Sequence, residues 1–242
     1  MKTFLLPALF LTMLGLIGSL PTTAQERVTR SVANFTALKV MSGIDVYLSQ
    51  SDSPSVKIAV DSEETLQDLV VEVDASNTLV LRLPANKQMR RWWGSQTNTR
   101  RVKAYVSFRQ LTDIQVSGGS DLFGEGPLRF QRLRMAASGG SDIRMNLTAD
   151  ELEVTCSGGA DAELQGRAGT FTARASGGSD LKAQELEAQV ATVNVSGGSD
   201  GYIKVVRELT ATASGGSDIV YWGSPAKVSS NASGGSEIKK GG

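Results

Sequence analysis

Apolar and polar residues alternate with a period of two along most of this chain, and one short turn resets the alternation at regular intervals. The turns open at Ser117, Ser138, Ser157, Ser176, Ser196, Ser214 and Ser233, with spacings of 21, 19, 19, 20, 18 and 19 residues. Five read Ser-Gly-Gly-Ser-Asp, the turn from Ser157 reads Ser-Gly-Gly-Ala-Asp, and the last reads Ser-Gly-Gly-Ser-Glu. Directly before each first serine stand Val116, Ala137, Cys156, Ala175, Val195, Ala213 and Ala232. Two residues further upstream stand Ile114, Met135, Val154, Ala173, Val193, Ala211 and Ser230, and two further again Thr112, Leu133, Leu152, Phe171, Ala191, Leu209 and Val228. The positions between these columns are mainly polar, as in Arg134, Glu153, Thr172 and Thr210. Such alternation predicts a β-strand with one buried face. A second alternation follows each acidic residue: Leu122, Ile143, Ala162, Leu181, Ile219 and Ile238, with Gly201 as the exception. Each repeat is therefore expected to give a strand, a corner and a second short strand.

The corners are expected at Gly118, Gly119 and Asp121; Gly139, Gly140 and Asp142; Gly158, Gly159 and Asp161; Gly177, Gly178 and Asp180; Gly197, Gly198 and Asp200; and Gly215, Gly216 and Asp218. Paired glycines let the chain turn sharply. A repeat this short cannot bury its own apolar face, but stacked copies can, each strand pairing in parallel with its equivalent in the next coil. The expected fold class is all-β: a parallel β-helix, or β-solenoid, with coils of about 19 residues. At about 4.8 Å per coil, seven coils make a rod section roughly 30 Å long. Propeller blades need about twice this repeat length.

Residues 111–242 carry the regular repeats, and 25–110 are expected to supply capping strands and irregular coils. Leu38–Met41, Asp45–Leu48, Val56–Val60 and Thr78–Leu83 alternate as strands, Ser42-Gly43-Ile44-Asp45 resembles a worn corner, and Asn77 marks a hairpin turn. Caps are needed because an open stack exposes core and unpaired strand edges.

Residues 1–24 have the layout of a secretory signal peptide: Lys2, an apolar run from Phe4 to Leu20, and Thr22-Thr23-Ala24. The remaining 25–242 read as one domain with no apolar run long enough to span a bilayer. Export to the periplasm, outer envelope or extracellular space follows. The whole chain balances 25 basic against 25 acidic residues, which gives no reason to expect nucleic acid. Cys156 is the only cysteine, so no intrachain disulfide staples the fold. The absence of histidine excludes His-based triads and His-ligated zinc.

On these residues the chain resembles a bacterial family known as the putative auto-transporter adhesin head domain, or head GIN domain. Phe35–Val40, Ser42-Gly43-Ile44-Asp45-Val46-Tyr47-Leu48, the Gly-Gly-Ser-Asp corners and Val220-Tyr221-Trp222-Gly223-Ser224-Pro225 carry the resemblance. It implies a right-handed parallel β-helix-like fold in the cell envelope, adhesion at the level of the family, and no catalytic residues. No membrane barrel follows the last repeat, so export in the manner of an autotransporter is not expected.

Three features have candidate chemistry. The acidic column from Asp121 to Glu237 could bind calcium through carboxylate oxygens, or hydrolyse glycosides through paired carboxylates. The preferred reading is that each carboxylate caps its own turn by accepting backbone N–H bonds, because the acids repeat uniformly as structural residues do. The densest basic and aromatic segment, Lys87–Lys103, holds Arg90, Arg91, Trp92, Trp93, Arg100 and Arg101. It reads either as a loop recognising a protein or glycan or as a solvated loop folded onto the solenoid. Cys156 falls in an inward column and reads as core, and Tyr221 and Trp222 read as part of a C-terminal cap. The expected function is a non-enzymatic exported binding or scaffold module without metal or cofactor; the alternatives are a carbohydrate-active β-helix enzyme and a calcium-stabilised surface repeat. Mass spectrometry of the exported protein should place its N-terminus at Gln25; retention of residues 1–24 would mark them as an anchor.

Overall fold

The computed structural model describes residues 26–60, 62–84 and 102–242. The expected leader, 1–24, and the Arg/Trp segment around Trp92 lie outside the described residues.

The repeats stack in parallel as a β-solenoid. β9 (Asp121–Ser138), β10 (Asp142–Ser157), β11 (Asp161–Ser176), β12 (Asp180–Ser196) and β13 (Asp200–Ser214) follow one another in space as in sequence. Equivalent residues pair: Asp142 with Asp161, Leu152 with Phe171, Val154 with Ala173, Cys156 with Ala175. Each of these strands runs from an acidic residue to the next corner serine. The two strands expected per repeat are thus one continuous strand that bends. In β10 the bend falls where alternation slips and both Asp150 and Glu151 face outward. In β11 the chain passes so close to β10 that a Cβ on Gly166 would lie 2.0 Å from the Leu147 carbonyl oxygen, and φ there is +110°. Only glycine fits that approach.

The last coil is split into β14 (Asp218–Trp222) beside β13, β15 (Lys227–Ser233) beside β13, and β16 (Glu237–Lys240) beside β14. At the other end the strands are irregular. β3 (Ile44–Gln50) runs parallel to β9 and to β7 (Val102–Phe108). β4 (Ser55–Val60) pairs antiparallel with β7, and β1 (Glu26–Ser31) antiparallel with β4. β8 (Asp113–Ser117) joins β9 to β2 (Ala37–Val40), and β2 runs parallel to β6 (Thr78–Arg82). β5 (Val70–Val73) closes that side as a hairpin with β6. The hairpin turn is set by Asp74, whose carboxylate accepts from the Ser76 and Thr78 N–H groups at 2.8 and 3.0 Å, and by Asn77 at φ +56°. A short helix, α1 (Glu63–Asp68), capped by Ser62, lies between β4 and β5.

One apolar core runs through the stack, from Leu38 and Val46 to Leu209 and Ile219. The inward columns read from sequence are buried from β9 to β13, with two departures at the ends. Thr112 is exposed and Leu111 is buried in its place, because the Thr112 N–H and hydroxyl both donate to the Thr36 carbonyl. In the last coil Val228, Ser230 and Ala232 are exposed, since among the described residues no further coil covers them.

Phe171 is 1% exposed in the middle of the stack. Phe171→Ala should lower unfolding free energy by about 3–5 kcal/mol in urea titration, as large-to-small core changes do. Val228→Ala, in the exposed coil, should change it by less than about 0.5 kcal/mol.

Candidate functional site

The most regular chemistry in the molecule is at the corners. Both glycines of each Ser-Gly-Gly turn have φ between +64° and +77°. Their amides form a ladder along the stack, as in Gly118 N–H to the Ser138 carbonyl (3.3 Å) and Gly119 N–H to the Gly139 carbonyl (3.1 Å). The next residue faces inward: Ser120, Ser141, Ser179, Ser199 and Ser217 are buried. Each accepts through Oγ the backbone N–H of the preceding coil. Ser120 N–H donates to Ser141 (3.3 Å), Ala160 to Ser179 (3.2 Å), Ser179 to Ser199 (3.0 Å), Ser199 to Ser217 (3.1 Å) and Ser217 to Ser236 (3.0 Å). Ser42-Gly43 joins the same column: Ser42 has φ +73°, and Gly43 and Ile44 donate to Ser120 Oγ at 3.0 and 3.1 Å. Sequence reading missed these hydroxyls as the polar interior of the corner, although their recurrence at the fourth position of the turn was in view.

The acidic column works between coils rather than within one turn, which corrects the capping expectation. The Asp121 carboxylate accepts the Asp142 N–H (3.2 Å), Asp161 that of Asp180 (2.9 Å), Asp200 that of Asp218 (3.2 Å), and Asp218 that of Glu237 (2.9 Å). The acid begins a strand, so its side chain reaches along the stack instead of back into its turn. Asp142 pairs with Arg144 at 2.9 Å and Asp180 with Lys182 at 3.5 Å. Among the described residues no three acids, cysteines or histidines are grouped so as to hold a metal ion.

Strand register aligns outward side chains into rows. Beside the acids, Tyr105, Tyr47 and Phe123 stack at 5.1 and 5.3 Å, and the Arg144 guanidinium covers the next ring face at 5.6 Å. The facing ring surfaces are thereby filled, while Tyr105 remains exposed. Another outward face holds a shallow groove of about 370 Å³ between Arg132, Glu151, Glu153 and Thr172. Its charges are matched: Arg132 with Glu151 at 2.7 Å, and Glu153 with both Arg134 and Arg174 at 3.2 Å. These pairs are exposed and contribute little to stability.

Cys156 is 1% exposed, and burial, with nearby Asp161 and Asp142, pushes its thiol up to about 12. It packs as core, and a thiol raised in this way is poorly suited to act as a nucleophile. Trp222 stacks on Tyr202 at 6.5 Å and packs against Gly241, where a Cβ would come within 2.4 Å of the indole. Arg90, Arg91, Trp92, Trp93, Arg100 and Arg101 lie outside the described residues, in the connection from β6 to β7. No helix among the described residues is long and apolar enough to cross a membrane.

A family model described as "Putative auto-transporter adhesin, head GIN domain" matches residues 34–225. No curated protein matches the sequence. Among solved structures, the chain is similar to a putative adhesin from Bacteroides fragilis, with TM-score 0.80, 22% identity, and coverage of 90% of this chain and 98% of that one. A putative adhesin from Parabacteroides merdae gives TM-score 0.67 at 17% identity over 90% and 96% of the chains. A putative lipid binding protein from Parabacteroides distasonis gives 0.68 at 18% over 90% and 97%. Identities this low establish a shared fold.

One acid of the column is perturbed. Burial, then the nearby Asp142 and Asp45 charges, raise Asp121 above its ordinary 3.8, against the opposing Asp142 N–H bond. A raised carboxyl pKa favours folding below the ordinary value, and that contribution is lost as pH rises through the folded value. An amide keeps the acceptor for the Asp142 N–H without the charge. The melting temperature of Asp121→Asn relative to the parent should therefore rise as pH increases from about 3 to 7. A relative stability that falls with pH would show that the carboxylate charge is favourable in the fold.

Proposed function

The chain belongs to the putative auto-transporter adhesin, head GIN domain family, and from that premise we propose that it is an exported, non-enzymatic binding module of the envelope or cell surface. In this reading residues 1–24 are removed on export and 25–242 act as one solenoid domain. The family match over residues 34–225 carries the proposal. The site chemistry supports it: four acids of the repeated column hold backbone N–H groups of the neighbouring coil, the work of a scaffold. A glycosidase pair would need two carboxyls in contrasting environments with room for substrate.

We assign partner contact to Arg90, Arg91, Trp92, Trp93, Arg100 and Arg101. The segment departs from the repeat and concentrates two of the chain's three tryptophans. Insertions on a solenoid can vary without disturbing the stack, so they suit recognition. The partner is a protein or glycan presented at the envelope. Aromatic and arginine side chains are the residue types that dominate such contacts.

Screening the exported protein on a glycan array, and capturing partners from envelope extract, should identify a ligand. Trp92→Ala with Trp93→Ala should then weaken its binding by about 2 kcal/mol or more and leave unfolding stability close to that of the parent. Equal binding by the parent and the double variant would remove the segment from the account. A large stability loss would instead place the tryptophans on the solenoid.

A further inference from the structure

On one outward face, three successive coils carry no charge. The outward positions leading into the corner, and the corner serine itself, read Thr192, Asn194 and Ser196 on β12, Thr210, Thr212 and Ser214 on β13, and Ser229, Asn231 and Ser233 on β15. Register sets them in three rows across the coils: Thr192–Thr210–Ser229, Asn194–Thr212–Asn231 and Ser196–Ser214–Ser233. Toward the other end the same rows are charged. Asp113, Arg134 and Glu153 precede Thr172 in the first row, and Arg174 interrupts the second. None of the nine side chains hydrogen-bonds to another described residue. Strand spacing is the reason: equivalent hydroxyls in the same rotamer stand about 4.8 Å apart, too far to bond directly. One water at about 2.8 Å from each hydroxyl closes that gap, with an angle of about 118° at its oxygen, close to tetrahedral.

We propose that this face binds ice, by holding a layer of water whose spacings the ice lattice continues. Along each strand the rows lie two residues apart, about 6.7 Å, and across the coils about 4.8 Å. A tetrahedral water network with bonds of about 2.75 Å repeats every ~4.5 Å along one axis and ~7.3 Å along the perpendicular one. Over three rows the two patterns diverge by ~0.6 Å along the stack and ~1.2 Å along the strands, which rotamer adjustment absorbs. Two features select this occupant. The array is uncharged, so it offers no counter-charge to an ionic partner and no ion whose own hydration would break a water lattice. Its match also runs in two directions, whereas a glycan or peptide chain repeats in one. The activity is independent of the partner contact assigned to the Trp92 segment.

Freezing and melting points of a solution of the exported protein, read on a single seeded ice crystal, test this. The freezing point should fall below the melting point, and the crystal should grow facets. Thr192→Lys with Thr212→Lys places two charges inside the array and should abolish both effects. Thr212→Val removes the central hydroxyl with little change of shape and should narrow the gap at least twofold. Thr155→Lys, outside the array on β10, should leave the gap unchanged. The substituted side chains face outward, and circular dichroism checks that each variant folds. Coincident freezing and melting points for the parent, with crystals growing as in buffer, overturn the proposal. So does a gap that survives in the double variant. Retention of a neutral glycan that the double variant loses, without any effect on ice, assigns the array to a sugar and overturns it as well.

Discussion

A stack of parallel strands holds together only if every coil returns its chain to the register of the coil before. Strands about 4.8 Å apart leave little tolerance, because a slip of one residue would turn the whole inward column out to solvent. In this protein the return is made at the Ser-Gly-Gly-Ser corner. The glycines adopt backbone angles that other residues resist, with φ between +64° and +77°. Their amides continue the ladder around the bend, and the buried serine hydroxyl takes the N–H that faces inward from the neighbouring coil. A buried backbone donor left without a partner is costly, so the hydroxyl makes a tight inward corner tolerable. Where Ala160 replaces serine, Asp161 N–H bonds the Ser141 carbonyl, so the neighbouring amide still links the coils.

Register also decides what the surface can be. Equivalent positions of successive coils fall into rows, so any side chain repeated in sequence is repeated in space. The acid row, the Arg/Glu pairs around Glu153 and the Tyr105–Tyr47–Phe123 stack are consequences of this alignment. In each row the side chains mostly satisfy one another: carboxylates take N–H groups or cations, and ring faces cover ring faces. What does not repeat is the connection from β6 to β7 and the strands at the two ends of the stack.

Much of the fold was legible because burial imposes a period of two and stacking imposes a period of about 19 residues. The inward columns through Leu152, Val154 and Cys156 and the worn corner at Ser42-Gly43 followed from those periods. The misreadings fall where a period says nothing. Thr112 fits the column by spacing, yet its hydroxyl goes to the Thr36 carbonyl and Leu111 fills the core. Val228 fits it too, but exposure there depends on whether another coil follows. The acids were read as caps of their own turns because local spacing cannot show a bond to a residue about 19 positions away. The stacking of Tyr47 on Tyr105 was invisible for the same reason, since it needs the register of β3 against β7. The segment around Trp92 stands out by composition alone, and only the strands that flank it, β6 and β7, are described.

The account rests on the corner as an interior, hydrogen-bonded element rather than an exposed turn. Amide hydrogen exchange in the native protein tests this most directly, because it reads each N–H separately. The amides of Ala160, Ser179 and Ser199 donate to buried hydroxyls. They should exchange only through openings close in free energy to global unfolding, together with the core amides of Val154 and Val193. Exchange of the corner amides at the rate of an unprotected turn, with Val154 and Val193 still protected, would contradict it.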